Sequence, residues 1–144
     1  MITIVKKLDV ADSREIEEFE SEYCFRIPVD YKRFLLEKNA ISVKETLYKL
    51  DSREFWISDF YPFSKDYELS VQVVHAELGD FFENSYLAFA NDAGGWQFVI
   101  SLKDDDYGKV YFCRMDEELE DALTLLADNF TDFINGLRTE KEVA

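Results

Sequence analysis

The stretch YLAFANDAGGWQFVISL, residues 86–102, predicts two strands joined by a tight turn. Residues 86–90 are almost wholly apolar, and residues 96–102 alternate large apolar side chains with other residues, as a strand does. Gly94 and Gly95 stand between them and supply the positive φ of a turn rather than a phosphate cradle, because no helix follows. The stretch therefore predicts an antiparallel hairpin.

The residues after the hairpin extend it into a meander. Asp104 to Gly108 predict a second turn, and Val110 to Cys113 predict the returning strand. Beyond it, apolar residues recur every three or four positions, which predicts one helix to about Leu137. These apolar positions are Leu119, Leu123, Leu126, Phe130, Phe133 or Ile134, and Leu137.

The residues before the hairpin predict two helices. Asp12 and Glu15 have the spacing of a capping box, in which Asp12 is the N-cap and Glu15 bonds back to it. They predict the start of a helix that runs to about Glu22. Pro28 suits the first turn of a second helix, and Asn39 predicts the end of this helix in a left-handed conformation.

Two segments lie between the second helix and the hairpin. Residues 47–63 are rich in strand-preferring side chains. The segment after Ser70 is either a short helix that Ser70 caps or, given its β-branched residues, a strand. Helices first, strands in the middle and a helix last predict an α+β fold, an antiparallel sheet packed by helices. We expect one domain over residues 1–144, with residues 139–144 as a frayed tail.

The composition excludes several classes of function. The chain has 144 residues and a net charge of -15, yet 47% of its residues are hydrophobic and 16% aromatic, so it is not a disordered acidic segment. Binding to nucleic acid through phosphate neutralisation requires a basic surface, and anionic lipid repels an acidic one. A basic protein partner is the natural complement.

The acidic residues are unevenly distributed. Residues 1–65 hold 11 basic and 13 acidic residues, whereas residues 66–132 hold 3 basic and 16 acidic residues. The acidic half is either an interface or only a solvated surface that keeps the protein soluble.

The sequence predicts a cytoplasmic protein. The first ten residues lack the apolar core of a secretory signal, and no apolar run approaches the roughly 20 residues that cross a bilayer. Cys24 and Cys113 lie far apart and are expected to be reduced packing residues.

Motifs for catalysis and metal binding are absent from the sequence. It contains no GxSxG, P-loop, GxGxxG or HExxH pattern. A cysteine paired with His75 is a weak candidate, since nothing in the sequence brings them together. Asp104 to Gly108 fail the calcium-loop template, because the glycine comes one place early and Met115 takes the position of the glutamate. We therefore expect no enzymatic activity, no cofactor and no metal.

Five segments, in their order and spacing, resemble the SUKH superfamily, the Smi/Knr-like domains. The resemblance spans nearly the whole chain, although the Asn-Gly common after the second helix is here Asn39-Ala40. The segments are Phe19-Glu20, Ile27 to Leu35, Tyr86 to Gly95 with Phe98, Gly108 to Phe112, and Leu126 to Ile134.

The resemblance implies an α+β fold without enzymatic activity, and it carries over no catalytic residues. Its motif residues have structural roles: Pro28 starts a helix, and Gly94, Gly95 and Gly108 permit turns. The implied core residues are Tyr31, Phe34, Phe89, Phe98, Phe130 and Phe133. Bacterial members typically bind and neutralise a cognate polymorphic toxin, often a nuclease, while fungal relatives are regulatory interaction proteins.

The leading hypothesis is therefore a non-catalytic immunity protein that blocks a basic toxin domain. Acidic residues would steer the encounter, and the aromatic side chain of Tyr107 would anchor it. The steering candidates are Asp104, Asp105, Asp106, Asp116, Glu117 and Glu118. The alternatives are a regulatory scaffold for cellular proteins and, with less support, a domain with a small-molecule or enzymatic role in a cleft.

Overall fold

The structure, a computed structural model, describes residues 2–143. This range contains nine strands and six α-helices, which confirms the α+β fold. The strands are β1 (Ile4–Lys7), β2 (Ala40–Val43), β3 (Leu47–Leu50), β4 (Arg53–Trp56), β5 (Asp59–Phe60), β6 (Tyr86–Asn91), β7 (Gln97–Ser101), β8 (Val110–Cys113) and β9 (Leu123–Ala127). The helices are α1 (Ser13–Tyr23), α2 (Val29–Glu37), α3 (Val71–Leu78), α4 (Leu119–Ala122), α5 (Phe130–Gly136) and α6 (Glu140–Val143).

A five-stranded antiparallel sheet in the order β5-β6-β7-β8-β9 forms the centre of the fold. The predicted hairpin is confirmed as β6 and β7, and the predicted meander continues into β8. All five residues of β7 are buried, so both faces of this strand are covered. The alternating pattern therefore predicts the strand but not its full burial.

The hairpin turn depends on one carboxylate and one glycine. Asp92 Oδ1 accepts hydrogen bonds from the N–H groups of Gly94 and Trp96, both at 2.9 Å. Gly95 has φ of +91°, a backbone conformation that a side chain would strain.

An aromatic cluster fills the space between the sheet and the helices. The Phe89 ring of β6 lies 5.2 Å from Phe130 and 5.5 Å from Phe133, measured between centroids, and both of these residues belong to α5. Tyr31 of α2 lies 5.0 Å from Phe130. Such aromatic pairs contribute about 0.5–1.5 kcal/mol each beyond the area that they bury. Phe98 is also buried in this cluster, while Phe34 is half-buried against Phe60 and Phe130.

The prediction of one helix over residues 119–137 is wrong. The chain forms the short helix α4, then the strand β9, and then α5. Strand β9 pairs antiparallel with β8, with Tyr111 opposite Leu125 and Phe112 opposite Thr124. The side chain of Asn129 starts the next helix by accepting a hydrogen bond from Asp132 N–H at 2.8 Å.

The N-terminal strand β1 was not predicted. It pairs with β2, which begins 36 positions after Ile4. The side chain of Glu45 stabilises this pair. The Glu45 carboxylate accepts hydrogen bonds from Thr3 N–H at 2.6 Å and from Thr3 Oγ1 at 2.8 Å. Desolvation opposes ionisation of this carboxyl group, but the bonds from Thr3 outweigh it and lower the pKa of Glu45.

The other predicted elements form with small differences. Helix α1 begins after Asp12, whose carboxylate accepts from Arg14 N–H, while Glu15 lies 3.5 Å from Lys65 instead of acting as a reciprocal cap. Pro28 lies at the cap position just before α2. The segment after Ser70 is a helix, α3, rather than a strand, and Ser70 is its N-cap.

Residues 47–63 form β3, β4 and β5, which confirms that this segment is extended. Near the C-terminus, α6 forms one helical turn. The fraying of residues 139–144 stays a prediction, and Ala144 lies outside the described residues.

Candidate functional site

The turn between β7 and β8 contains a short 3-10 helix, Asp104–Asp106. The carboxylate of Asp106 points back to the sheet, where it accepts hydrogen bonds from Ser101 Oγ and, at 2.6 Å, from the Tyr111 hydroxyl. Desolvation raises the pKa of Asp106, but these two bonds outweigh it and lower the pKa overall. Asp106 therefore holds the turn, and Asp104 and Asp105 are the exposed acids of this segment.

Tyr107 is the exposed aromatic residue of the same turn. Its side chain is 45% exposed, and its hydroxyl donates a 2.7 Å hydrogen bond to the carbonyl of Arg26. This bond joins the β7–β8 turn to the loop between α1 and α2. Gly108, with φ of +86°, completes the turn, as the sequence predicts.

Tyr107 lies on the wall of a cleft of about 1060 Å³. Val29, at the start of α2, also lines this cleft and is 69% exposed. The cleft carries charges of both signs and includes an ion pair of 3.0 Å between Lys32 and Glu20. The charged lining residues are Glu17, Glu20 and Asp104, opposed by Arg26 and Lys32. This cleft is therefore amphipathic and only weakly acidic.

The second acidic segment, Asp116 to Glu118, lies between β8 and α4. Glu117 is bound by the Arg114 guanidinium, which also donates to the carbonyl of Asp121 at 3.0 Å. The carboxylates of Asp116 and Glu118 are exposed, and together with Asp121 they border a shallow depression.

The two acidic segments lie at opposite ends of β8. A strand of four residues is roughly 13 Å long. The structure therefore separates Asp116, Glu117 and Glu118 from Tyr107, although one interface of standard size, about 800 Å² on each partner, is wide enough to include both segments.

Neither cysteine is arranged for catalysis with the histidine. Cys113 is buried in β8, and burial raises the pKa of its thiol to about 11. Cys24 is exposed at the end of α1, so the prediction that it is a packing residue is wrong. Its Sγ lies 3.8 Å from the carbonyl of Ser21. In residues 2–143 no three histidine, cysteine or acidic side chains are placed to hold a metal ion.

His75 is a structural residue of α3. Its side chain is 2% exposed and lies edge-on to Tyr23, with 4.5 Å between ring centroids. Nε2 bonds the Oδ1 of Asn84 at 2.8 Å, and Asn84 Nδ2 donates to the carbonyl of Tyr23 at 2.9 Å. Among the described residues Nδ1 has no hydrogen-bond partner. Since Asn84 offers an acceptor to Nε2, the neutral ring carries its proton there.

We expect protonation of His75 to destabilise the fold. Burial lowers its pKa, while the bond to Asn84 and the nearby Glu22 oppose this shift. Below about pH 6.5 the unfolded chain takes up a proton that the folded chain does not, so stability should fall by up to about 1.4 kcal/mol per pH unit. Urea unfolding between pH 7.5 and pH 5 measures this slope.

The control for this experiment is His75→Gln, which keeps a donor towards Asn84 and removes the titration. The chain has a single histidine, so the slope between pH 5 and pH 6.5 should disappear in the variant. An equal slope in both proteins would show that other groups cause it.

One comparison with known proteins identifies a family for this chain. The model of the SMI1 / KNR4 family (SUKH-1) matches residues 10–136, nearly the whole chain. The chain belongs to the SMI1 / KNR4 family (SUKH-1). A search of curated proteins finds no match. In this SUKH-1 chain no helix among residues 2–143 combines the length and the apolar character that a membrane span requires.

The sequence did not indicate two features of the surface of this SUKH-1 domain. The first is the contribution of Arg26 and Lys32 to the cleft that Asp104 also lines, because these residues lie more than 70 positions from Asp104 in the sequence. The second is the position of β9 at the edge of the sheet, since residues 123–127 were predicted to be helical. A strand-like run of Leu, Thr and Leu in these residues is the one local signal that could have revealed it.

Proposed function

We propose that this SUKH-1 protein is a cytoplasmic immunity protein that binds a cognate polymorphic toxin domain with a basic surface, such as a nuclease, and neutralises it. Family membership supports a protein-binding role of this type. The observation that carries the proposal is the charge of residues 66–132, which contain 16 acidic residues and only 3 basic residues. A nuclease surface that attracts phosphate is complementary to such a field.

The exposed acids and Tyr107 have the chemistry of such an interface. Asp104, Asp105, Asp116 and Glu118 are exposed, and their charges act over about a Debye length, roughly 10 Å at 0.1 M salt. Tyr107 offers an aromatic surface held in place by its bond to Arg26, so little side-chain entropy is lost when it is covered. Neutralisation by such contacts is stoichiometric and needs no catalytic group.

Co-expression with the product of the neighbouring gene tests this proposal. If that gene encodes the toxin, its expression alone should stop growth, and expression of this chain should restore growth and yield a one-to-one complex. Failure to bind and to restore growth would contradict the proposal.

Two substitutions at Tyr107 sharpen the test. Tyr107→Ala should weaken the complex by about 2 kcal/mol, the loss typical of an aromatic anchor. Tyr107→Phe loses only the bond to Arg26 and should retain most of the affinity. Equal affinity of the Ala variant and the wild type would show that the toxin binds elsewhere.

The cleft favours a second candidate, a regulatory scaffold of the Smi/Knr type. Arg26 and Lys32 lie in it beside three acids, and a wholly basic partner would meet repulsion there. A cellular protein of mixed charge fits this surface better. Recovery of such a protein with the chain from cells that lack the toxin gene, and its loss in Val29→Asp, would support this candidate.

A further inference from the structure

Strand β9 is an open edge of the central sheet. Within residues 2–143 its only strand neighbour is β8. Arg114 N–H donates to the carbonyl of Ala122 at 3.0 Å, and this bond determines which opposed residues of β8 and β9 are hydrogen-bonded pairs. Since hydrogen-bonded and non-bonded pairs alternate in an antiparallel ladder, Thr124 bonds to β8, while the N–H and C=O of Leu125 and the C=O of Leu123 point away from it. We call these three groups the β9 edge.

The first three residues of β9 precede an irregularity in the pairing with β8, which lies between Leu125 and Ala127, and they carry no side chain that opposes strand pairing. Residues 123–127 contain no charge and no proline, and the side chain of Leu125 is 42% exposed. The end of the strand is different, because the Tyr48 hydroxyl donates a 2.7 Å hydrogen bond to the carbonyl of Leu126. The accessible part of the strand is therefore its first three residues.

Acidic residues flank this uncharged strand on both sides. Residues 114–128 hold six acids and one base, Arg114, and the base is bound to Glu117 and to the carbonyl of Asp121. An incoming strand with basic ends and an apolar centre would match both the flanks and Leu125.

A second copy of the chain matches this surface poorly. Antiparallel pairing of two β9 strands about Leu125 would place Leu123 of one copy opposite Ala127 of the other, and so bring the acidic residues before the strand in one copy towards Asp128 of the other. Like charges would then meet at both ends of the paired strands, and each whole chain carries a charge of -15.

We propose that the β9 edge accepts an extended, basic segment of a partner protein as a sixth strand of the sheet. Backbone hydrogen bonds to Leu125 provide the affinity of such strand addition, and the acidic flanks select basic ends. The inference rests on the proposed function for the identity of the partner, but the surface itself is tested without a toxin.

The probe is the peptide acetyl-Lys-Arg-Val-Thr-Val-Thr-Val-Arg-Lys-amide, added to the whole protein. Near saturation, hydrogen exchange of the Leu125 amide should slow by about tenfold, since the amide is then bonded in most molecules. A peptide of the same sequence with N-methyl groups on alternate residues keeps the charge and loses the backbone donors, so it should not slow this exchange.

Two outcomes would overturn the inference. One is binding of both peptides with equal affinity and no protection of Leu125, which would indicate charge attraction alone. The other is no binding of the first peptide at about 1 mM, since strand addition of useful strength is tighter than this.

A matched pair of variants separates this inference from the proposed function. Leu125→Lys places a positive charge at the β9 edge and should weaken peptide binding about tenfold. Leu69→Lys makes the same change at another exposed leucine and should leave binding unchanged. If the toxin test fails while the peptide protects Leu125, the proposed function is wrong and the inference about the β9 edge still holds. If growth is restored equally by both variants and the peptide does not protect Leu125, the inference that the β9 edge accepts a strand is wrong.

Discussion

Asn39→Ala is expected to destabilise the protein by about 4 kcal/mol, because two buried backbone groups of Phe63 lose their partner at once. Asn39 is 1% exposed. Its Oδ1 accepts from Phe63 N–H at 2.7 Å, and its Nδ2 donates to the carbonyls of Phe63 at 3.1 Å and Asp9 at 2.7 Å. One side chain thus ties the end of α2 to the segment after β1 and the segment after β5. Urea unfolding measures the loss.

Two further variants separate the hydrogen bonds from the backbone conformation. Asn39 has φ of +45°, which costs an alanine about 1–2 kcal/mol more than a glycine, so Asn39→Gly should be the milder change. Asn135→Ala removes an exposed amide from α5 and should change stability by less than about 0.5 kcal/mol. Asn39→Ala within about 1 kcal/mol of the wild type would show that water replaces these bonds.

The contrast between Asn39 and its partners shows what the sequence could predict. Its left-handed conformation is a local property and was predicted from its place after a helical pattern. Its partners lie 24 and 30 positions away, and no local pattern identifies them. The β6–β7 hairpin and Gly108 also depend on local sequence, and they were predicted. Strand β1 exists through its pairing with β2, and it was missed.

Residues 119–137 show why periodicity alone was insufficient. Their apolar residues satisfy helical spacing, but a short apolar run such as residues 123–127 is equally compatible with a strand. The non-local pairing of Phe112 with Thr124 decides between the two, and Asn129 then caps a new helix. Tertiary contacts therefore overrode a valid helical pattern.

The candidate surface was predictable as a concentration of charge but not as a geometry. The sequence indicates that residues 66–132 are acidic, and the structure exposes Asp104, Asp105, Asp116, Glu117 and Glu118. It also shows that Asp106 serves the β7–β8 turn, a role that depends on the position of its partners on β7 and β8.

Neutralising the exposed acids is expected to slow association with a basic toxin by about 10 to 100-fold at low salt, because steering by charge accelerates encounters by about 10 to 1,000-fold and the variant removes only part of the acidic charge. The variant carries amides in place of five carboxylates and spares Asp106, whose bonds hold the turn. Stopped-flow association at several salt concentrations measures the rate, and the salt dependence should also flatten. The five substitutions are Asp104→Asn, Asp105→Asn, Asp116→Asn, Glu117→Gln and Glu118→Gln.

The matched control removes the same number of charges from exposed positions elsewhere on the surface. Its association rate should fall by less than about threefold, since charges distant from the interface are largely screened. The control substitutions lie in residues 1–65 and are Asp9→Asn, Glu18→Gln, Glu22→Gln, Glu37→Gln and Glu54→Gln. An equal fall in both variants would assign the effect to net charge alone. An unchanged rate in both would mean that the acidic half serves solubility, and that binding depends on other contacts, such as those of Tyr107.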